Sequence, residues 1–352
     1  MKREKDHIIG SSRPAERRNK MTTIAEAFER VNREKFVRKE DGSLIPQISS
    51  DDAIRASLEL LDVQNGQRVL EIGTGSGYST ALLASLAGSN GRVVSVDVEP
   101  ELTARARQMF KKQNIHHVQF ETQDGRKGWE ADAPYDRIVA WTTPDQLPEA
   151  WKHQLKEGGW IVSPFQVLPI ADTNVVVRLI KVNGELKADD VIPGSFIAMT
   201  EKTPEKFFGA SIHAHWAGEG ENPWWVSSSW MKKSFDSNWV NRFLHLNPAT
   251  PPFPEVGDDL RAYLLAISPD GLTTANHPEH GSFIGYSSQA GFALISLSHH
   301  RLLATDQRYT NVLISWRESW QRQKRPSYSR IQAHVIGNQV RVELKNSDGK
   351  SS

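Results

Sequence analysis

The most constraining feature of the sequence is a group of three glycines between a short apolar run and a helical pattern. Arg68–Ile72 has the composition of a buried strand, glycines stand at positions 73, 75 and 77, and Ser79–Ala87 has helical spacing. Glycines in such a turn let the backbone turn tightly and approach a ligand closely. The segment therefore predicts a strand, a ligand-binding turn and a helix in direct succession.

Strand and helix patterns keep alternating up to Val162, which predicts a parallel, doubly wound α/β sheet. The predicted elements are strands at 93–97, 117–121, 137–140 and 160–162 and helices at 100–112 and 148–155. After Pro164 the pattern changes to hairpins and irregular stretches, which predicts a smaller α+β C-terminal domain. The predicted divisions are a disordered basic arm at 1–20, a first domain at 21–166 and an extension at 167–352.

Composition excludes several classes of function. The sequence has 352 residues, no cysteine, 43 Lys plus Arg and 42 Asp plus Glu, for a net charge of +1. Disulfides and thiolate chemistry are excluded, and His213, His215, His277 and His280 lack the flanking ligands of a metal site, so no metal is predicted. The balanced charge disfavours nucleic acid and anionic membranes as partners, and no apolar run is long enough to span a bilayer. These features favour a cytoplasmic location.

Two carboxylates indicate the kind of ligand that the glycine turn binds. Glu71 stands two residues before the first glycine, where it would repel a pyrophosphate and can hold an ammonium. Asp97 ends the next strand, where it can accept both ribose hydroxyls, and Asp124-Gly125 follows the strand after that, in position for an adenine amino group. S-adenosylmethionine carries an ammonium and a sulfonium but no phosphate. The pattern therefore favours S-adenosylmethionine over a dinucleotide.

These residues resemble class I methyltransferases and, within them, the protein-L-isoaspartate O-methyltransferase family. The similarity covers residues 24–165 and is carried by Ala27–Val37, Val69–Tyr78 and Asp124–Gly128. It implies the Rossmann-like fold of class I methyltransferases, S-adenosylmethionine as the cofactor and S-adenosylhomocysteine as the product. The cofactor-binding residues that it implies are Glu71, Gly73, Thr74, Gly75, Ser76, Gly77, Asp97, Val98, Asp124, Gly125 and Thr142.

The resemblance also implies where the methyl acceptor binds. Residues 47–49 occupy the place of the family's Thr-Ile-Ser segment, so Ser49 is the implied catalytic residue beside the transferred methyl, Ser50 is its neighbouring alternative, and Ile48 is a substrate contact. A carboxylate acceptor is ionised near neutral pH and needs no general base, and a hydroxyl can orient it. Trp141–Pro144 lacks the Asn/Asp-Pro-Pro-aromatic loop of enzymes that methylate nucleic-acid bases.

Two departures from the family pattern concern the substrate. Residues 38–47 are shorter than the family's isoaspartyl-recognition segment, and a long extension follows Pro164. The extension resembles those of O-methyltransferases that methylate one Asp in ribosomally made peptides, such as lasso peptides, lanthipeptides and graspetides, so that the ester closes to an aspartimide. We therefore expect a peptide or protein substrate carrying Asp or isoAsp, with Trp224 and Trp225 as contacts. The alternatives are isoaspartate repair and a cofactor-binding substrate receptor with little activity, and the sequence does not define the oligomeric state.

Overall fold

The computed structural model of this protein describes residues 22–39, 41–45, 49–201, 212, 214–216, 223–231, 237–254 and 257–345. The predicted basic arm at 1–20 and the predicted substrate contact Ile48 lie outside the described residues, as does His213. No helix in the described part of the chain is both long enough and apolar enough to cross a bilayer.

Seven strands between residues 68 and 193 of the described chain form one mixed sheet. They are β1 (Arg68–Ile72), β2 (Arg92–Asp97), β3 (Val118–Thr122), β4 (Tyr135–Ala140), β5 (Leu155–Gln166), β6 (Asn174–Val182) and β7 (Glu185–Pro193). Their order is β3-β2-β1-β4-β5-β6-β7, in which the first five run parallel and the last two antiparallel. The inner strands are rich in Val, Ile and Leu because both of their faces are buried.

Helices cover both faces of this sheet. They are α1 (Ile24–Arg30), α2 (Arg33–Val37), α3 (Asp51–Leu61), α4 (Tyr78–Ala87), α5 (Pro100–Lys112) and α6 (Glu149–Gln154). Local chemistry fixes where several of them begin: Thr23 and Glu26 form a capping box at α1, and Pro100 occupies the first turn of α5. One apolar core contains residues of α1, α3, α4 and α5, and a second core lies on the opposite face.

The strand order places a crevice at one edge of the sheet. β1 pairs with β2 on one side and with β4 on the other, so the chain crosses in opposite directions from this strand. In doubly wound sheets, ligands bind outside the carboxyl ends of the strands at such a switch point. The glycine turn directly follows β1 and therefore lies at this crevice.

The central sheet continues beyond the predicted domain boundary at 166. β6 pairs with β5 over seven residue pairs and β7 pairs with β6, so the hairpin that the sequence indicates after residue 173 belongs to the first sheet. A boundary at 166 would separate strands of one sheet. The hairpin pattern is local, whereas pairing between β5 and β6 is a tertiary contact that the pattern of either strand does not encode.

The extension builds a second sheet. It is antiparallel and has the order β13-β12-β11-β10-β9-β8. Its strands are β8 (Ala214–Trp216), β9 (Trp224–Ser228), β10 (Leu272–His277), β11 (Gly281–Ser288), β12 (Gly291–Ser296) and β13 (Arg301–Ala304). The helices are α7 (Ser237–His245), α8 (Asp258–Ile267) and α9 (Gln307–Arg322), and a terminal hairpin joins β14 (Ile331–Ile336) to β15 (Gln339–Leu344).

Helix α8 and the terminal hairpin connect the extension to the first sheet through apolar contacts. Ala262 and Leu265 of α8 belong to the same core as residues of β1, β4 and β5, together with Ile331 and Val340 of the terminal hairpin. Trp239 and Trp320 are buried in cores of the second sheet itself. The structure thus confirms a doubly wound α/β sheet followed by a smaller α+β unit.

Candidate active site

One cavity of about 800 Å³ opens at the carboxyl ends of β1, β2 and β4. The glycine turn, the end of β2 and the residues after β4 form part of its wall. Further parts of the wall come from elsewhere in the chain: Lys39, Ile45, Ser49 and Ile54, the α5 residues Glu101, Leu102 and Arg105, and Ser195–Thr200, hereafter the 195–200 segment. The predicted site residues that line the cavity are Ser49, Gly73, Thr74, Gly75, Ser76, Asp97, Val98, Gly125 and Thr142.

The glycine turn adopts backbone conformations that favour glycine. Gly73, Gly75 and Gly77 have φ values of 96°, 50° and 81°. The turn is held by hydrogen bonds from Gly73 N–H to the Val96 carbonyl at 2.7 Å and from Gly77 N–H to the Thr74 carbonyl at 2.8 Å. Residues other than glycine adopt positive φ values at an energetic cost, so the three glycines of the sequence directly favour this turn. Gly77 does not line the cavity, because it begins α4 and packs towards α5.

Asp97 lies at the end of β2 and faces the cavity. One carboxylate oxygen accepts the Gly75 N–H at 2.9 Å and the other accepts the Glu99 N–H at 3.0 Å. Each oxygen therefore keeps acceptor capacity for a ligand hydroxyl. Burial raises the pKa of Asp97 above its ordinary value, while these backbone bonds oppose the rise. A paired diol such as that of a ribose suits this carboxylate.

Glu71 is buried beneath the turn and does not line the cavity. One oxygen accepts hydrogen bonds from the Ser79 hydroxyl at 2.6 Å and the Trp141 indole N–H at 2.8 Å. The other accepts from Ser95 at 2.7 Å and from Thr80. Burial raises the pKa of Glu71, and the four bonds lower it in part. A direct contact with an ammonium stays a prediction that this geometry does not favour, because both oxygens are occupied.

The two residues of the predicted adenine loop have different surroundings, since one lines the cavity and the other contacts Arg126. Gly125 lines the cavity, and a Cβ at this position would lie 2.3 Å from a methyl of Ile72. The Asp124 carboxylate instead accepts the main-chain N–H of Arg126 at 3.0 Å and forms an ion pair with the Arg126 guanidinium. Burial acts to raise the pKa of Asp124, but the bonds from Arg126 lower it overall. Arg126 also lies 3.1 Å from Glu201, just after the 195–200 segment.

The two predicted catalytic serines have different surroundings. Ser49 lines the cavity, whereas the Ser50 hydroxyl caps α3 by accepting the Ala53 N–H at 3.2 Å. Arg33 fixes this segment, since its guanidinium donates to the Ser49 carbonyl at 2.8 Å and contacts Asp51. The geometry therefore favours Ser49 over Ser50 as the residue beside an acceptor, and the cap explains why Ser50 is present.

Two features of the wall escaped sequence analysis. Thr143 holds the 195–200 segment through three hydrogen bonds. The Thr143 N–H donates to the Ile197 carbonyl and the Met199 N–H donates to the Thr143 carbonyl, both at 2.7 Å, and the Thr143 hydroxyl donates to the Phe196 carbonyl at 2.8 Å. Arg105 of α5 donates to the carbonyls of Phe36 and Arg38 at 2.8 Å and to that of Ser76 at 3.1 Å. These contacts join segments that are distant in sequence, and no spacing rule signals them.

Trp224 and Trp225 do not line the cavity. They lie on β9, where Trp225 pairs with His215 of β8 and Asn276 of β10. Their predicted role as substrate contacts stays a prediction, and this geometry does not bring them to the acceptor site. Among the residues that the structure describes, no three His, Asp or Glu side chains are grouped as a metal site would require.

Comparisons with known proteins give the family. The family model "Protein-L-isoaspartate(D-aspartate) O-methyltransferase" matches residues 3–204, which is more than half of the chain. The protein-L-isoaspartate O-methyltransferase of Ignicoccus hospitalis is 33% identical over 194 residues, covering 52% of this chain and 91% of the relative. Residues 205–352 lie outside the match to the family model.

Two of the solved structures that are similar to this chain carry the same family name. One is a protein-L-isoaspartate O-methyltransferase with a TM-score of 0.49, 20% identity, and coverage of 92% of this chain and 95% of the other. The second, from Plasmodium falciparum and in complex with S-adenosyl-L-homocysteine, has a TM-score of 0.44 and 20% identity, covering 51% of this chain and 90% of that one. The predicted enzyme class and cofactor are confirmed by the family match: this chain belongs to the protein-L-isoaspartate(D-aspartate) O-methyltransferase family and is an S-adenosylmethionine-dependent O-methyltransferase.

Proposed function

We propose that this enzyme methylates the free α-carboxylate of isoaspartyl residues in proteins or peptides. The observation that carries the proposal is that Ser49 lines the same cavity as the glycine turn and Asp97. A cofactor bound by the turn and an acceptor beside Ser49 would therefore meet in one enclosed space. The relatives that bear the isoaspartyl name support the choice of acceptor.

The cofactor fits the residues at the sheet end of the cavity. Asp97 retains acceptor capacity for two ribose hydroxyls, the glycine turn presents backbone at close range, and Gly125 leaves room where a side chain would collide with Ile72. Thr142 and Val98 complete this end. When bound, S-adenosylmethionine would supply a methyl group that bonds to a carboxylate oxygen of the acceptor as its bond to the sulfonium sulfur breaks, leaving neutral S-adenosylhomocysteine.

The acceptor end of the cavity needs to position an anion rather than remove a proton. A carboxyl group is ionised at neutral pH, and the described residues that line the cavity include no histidine. The Ser49 hydroxyl can donate to one acceptor oxygen and leave the other to react, so its contribution is orientation. The apolar side chains of Ile45, Phe196 and Ile197 line the cavity and limit access of water.

The comparisons support isoaspartate methylation more than the tailoring of an Asp in a constrained peptide. The long extension is the observation that motivated the tailoring hypothesis, and residues 205–352 lie outside the family match. The relatives reported above are named for isoaspartate and not for aspartimide formation in ribosomally made peptides. That hypothesis therefore stays a prediction, and the same experiment tests it.

The experiment offers three acceptors side by side: an isoaspartyl peptide, the same sequence with ordinary Asp, and a macrocyclic peptide with one Asp. Methyl-ester formation is read by mass spectrometry with S-adenosylmethionine in excess. We expect the isoaspartyl peptide to be methylated and the linear Asp peptide to be inert. Methylation of the macrocycle alone would overturn the proposal in favour of peptide tailoring, and no methylation despite cofactor binding would favour the receptor alternative.

Matched variants then test the assigned residues. We expect Ser49→Ala to lower kcat by about tenfold, because one orienting hydrogen bond is lost while cofactor binding is unchanged. Ser50→Ala removes the helix cap and should lower the free energy of unfolding by about 1 kcal/mol with little effect on kcat. The reverse pattern would assign the role of orienting the acceptor to Ser50.

A further inference from the structure

We propose that Lys39 binds the carboxylate of the cofactor's amino-acid moiety. This goes beyond the proposed function, because it concerns the cofactor and not the methyl acceptor. Lys39 belongs to the short segment at 38–47 in which this sequence departs from the family pattern. It lines the cavity together with Ser76 of the glycine turn.

A small hairpin directs Lys39 towards the cavity. The Lys39 N–H donates to the Ser43 carbonyl and the Ile45 N–H donates to the Val37 carbonyl, both at 2.8 Å. Between these two bonds, Arg38 and Leu44 form an antiparallel β-bridge. Side chains alternate between the two faces of paired strands, so Lys39 and Ile45 share one face while Arg38 and Leu44 share the other. Ile45 is buried in the cavity wall and Leu44 is 56% exposed, which identifies the first face as the inner one.

Lys39 attracts the nearby Asp41 carboxylate but forms no ion pair with it. Arg105, the other cation among the described residues that line the cavity, bonds three main-chain carbonyls. Lys39, in contrast, forms no side-chain hydrogen bond or ion pair with any residue that the structure describes. Asp41, in the same turn, directs its carboxylate to the N–H and hydroxyl of Ser43 at 2.9 and 2.6 Å. An exposed ammonium at the wall of a ligand cavity is suited to an anionic group of that ligand.

Two anions enter this cavity under the proposed function, and the geometry favours that of the cofactor. The Arg105 guanidinium donates to both the Arg38 carbonyl and the Ser76 carbonyl, and so links these two segments. Lys39 directly follows Arg38 in the chain and therefore lies beside this link to the glycine turn. The accepting carboxylate also loses its charge as it is methylated. An ammonium on it would stabilise the reactant more than the transition state, whereas the cofactor's carboxylate keeps its charge throughout.

The test compares two ligands that differ only in this carboxylate, by titration calorimetry with no methyl acceptor present. The ligands are S-adenosylhomocysteine and its decarboxylated analogue, which carries an aminopropyl chain. We expect Lys39→Met to weaken binding of S-adenosylhomocysteine by about three- to tenfold and that of the analogue by less than about twofold. Lys39→Arg should restore most of the difference, and Lys112→Met, which removes the same charge from the last turn of α5, should change neither.

Two results would overturn the proposal. Equal loss for both ligands would show that Lys39 acts on the shape of the cavity and not on the carboxylate. Unchanged binding of S-adenosylhomocysteine together with a raised KM for an isoaspartyl peptide would assign Lys39 to the acceptor. Because the titrations contain no acceptor, their outcome is independent of whether isoaspartyl peptides are the substrate.

Discussion

The cofactor end and the acceptor end of the cavity are held together by different kinds of contact. At the cofactor end, the glycine turn, Asp97 and Gly125 lie at the ends of three consecutive parallel strands, and Gly75 and Asp97 are 22 residues apart. At the acceptor end, Ser49 is fixed by Arg33 of a separate helix. The 195–200 segment is fixed by Thr143, through two main-chain bonds and through its hydroxyl, which donates to a carbonyl 53 residues away.

The two ends of the cavity differ in how many contacts hold each of them in place. The sheet registers fix the cofactor end through many main-chain hydrogen bonds, so a single side-chain change there removes a ligand contact without moving the wall. The acceptor end depends on a few side-chain and main-chain contacts between segments that are distant in sequence. Changes at the two ends should therefore separate cofactor affinity from acceptor KM, and the following predictions test that separation.

The largest expected effect is at Glu71, beneath the cofactor end. Glu71→Ala removes the acceptor of four hydrogen bonds in a fully buried site and strands the Trp141 N–H, so we expect the free energy of unfolding to fall by about 3–5 kcal/mol. Urea denaturation measures this change. Glu59→Ala, an exposed glutamate on α3, is the matched control. A loss below about 1 kcal/mol would mean that this network does not hold the turn.

Asp97→Asn tests the cofactor end directly. Both carboxylate oxygens accept backbone N–H groups, so the amide nitrogen of asparagine must face one of these donors. We expect binding of S-adenosylhomocysteine to weaken by about 100-fold, with the acceptor KM unchanged at saturating cofactor. Glu101→Gln changes an exposed carboxylate at the same cavity and should have little effect. A large rise in acceptor KM would contradict the separation of the two ends.

The same difference explains what the sequence revealed. The glycine turn, Asp97 and Gly125 were predictable because each is encoded by a local pattern at a strand end, and the parallel sheet then brings such ends together. The position of Glu71 behind the turn was not, since its four partners come from α4, β2 and the residue after β4.

The wall formed by the 195–200 segment was not predictable either. It depends on β6 and β7 joining the first sheet, which places the chain after Pro193 beside Thr143. Pairing of that kind is decided by tertiary packing and not by the period of either strand. Trp224 and Trp225 are a different case: the sequence suggests a binding surface there, and they lie on β9 and outside the cavity, so their role as substrate contacts stays a prediction.

A smaller effect is expected from Thr143→Val at the acceptor end. Valine has nearly the same shape but loses the bond to the Phe196 carbonyl, while the main-chain bonds to residues 197 and 199 remain. We expect the acceptor KM to rise by about fivefold and the affinity for S-adenosylhomocysteine to change by less than about twofold. Thr310→Val, the same change at a buried position on α9, should alter neither constant. Equal changes in both constants would show that the ends move together.

The smallest effect is a pH dependence confined to the cofactor end. Burial raises the pKa of Asp97, so this carboxylate takes up a proton at a higher pH in the folded protein than in the unfolded chain. As pH falls through the raised pKa, the folded state binds more protons than the unfolded state, and Asp97 then favours folding. A protonated carboxyl is a poorer acceptor for two hydroxyls, so S-adenosylhomocysteine should bind more weakly over the same range.

The check is calorimetric titration of S-adenosylhomocysteine from neutral pH downwards, alongside urea denaturation of the free enzyme. Ser49→Ala should leave the pH dependence of binding unchanged, because Ser49 carries no titrating group and lies at the acceptor end. If affinity instead stays constant while Asp97 takes up its proton, the ribose hydroxyls do not depend on this carboxylate. The cofactor would then be held by its other contacts in the cavity, and the contrast between the two ends would rest on main-chain contacts rather than on the charge of Asp97.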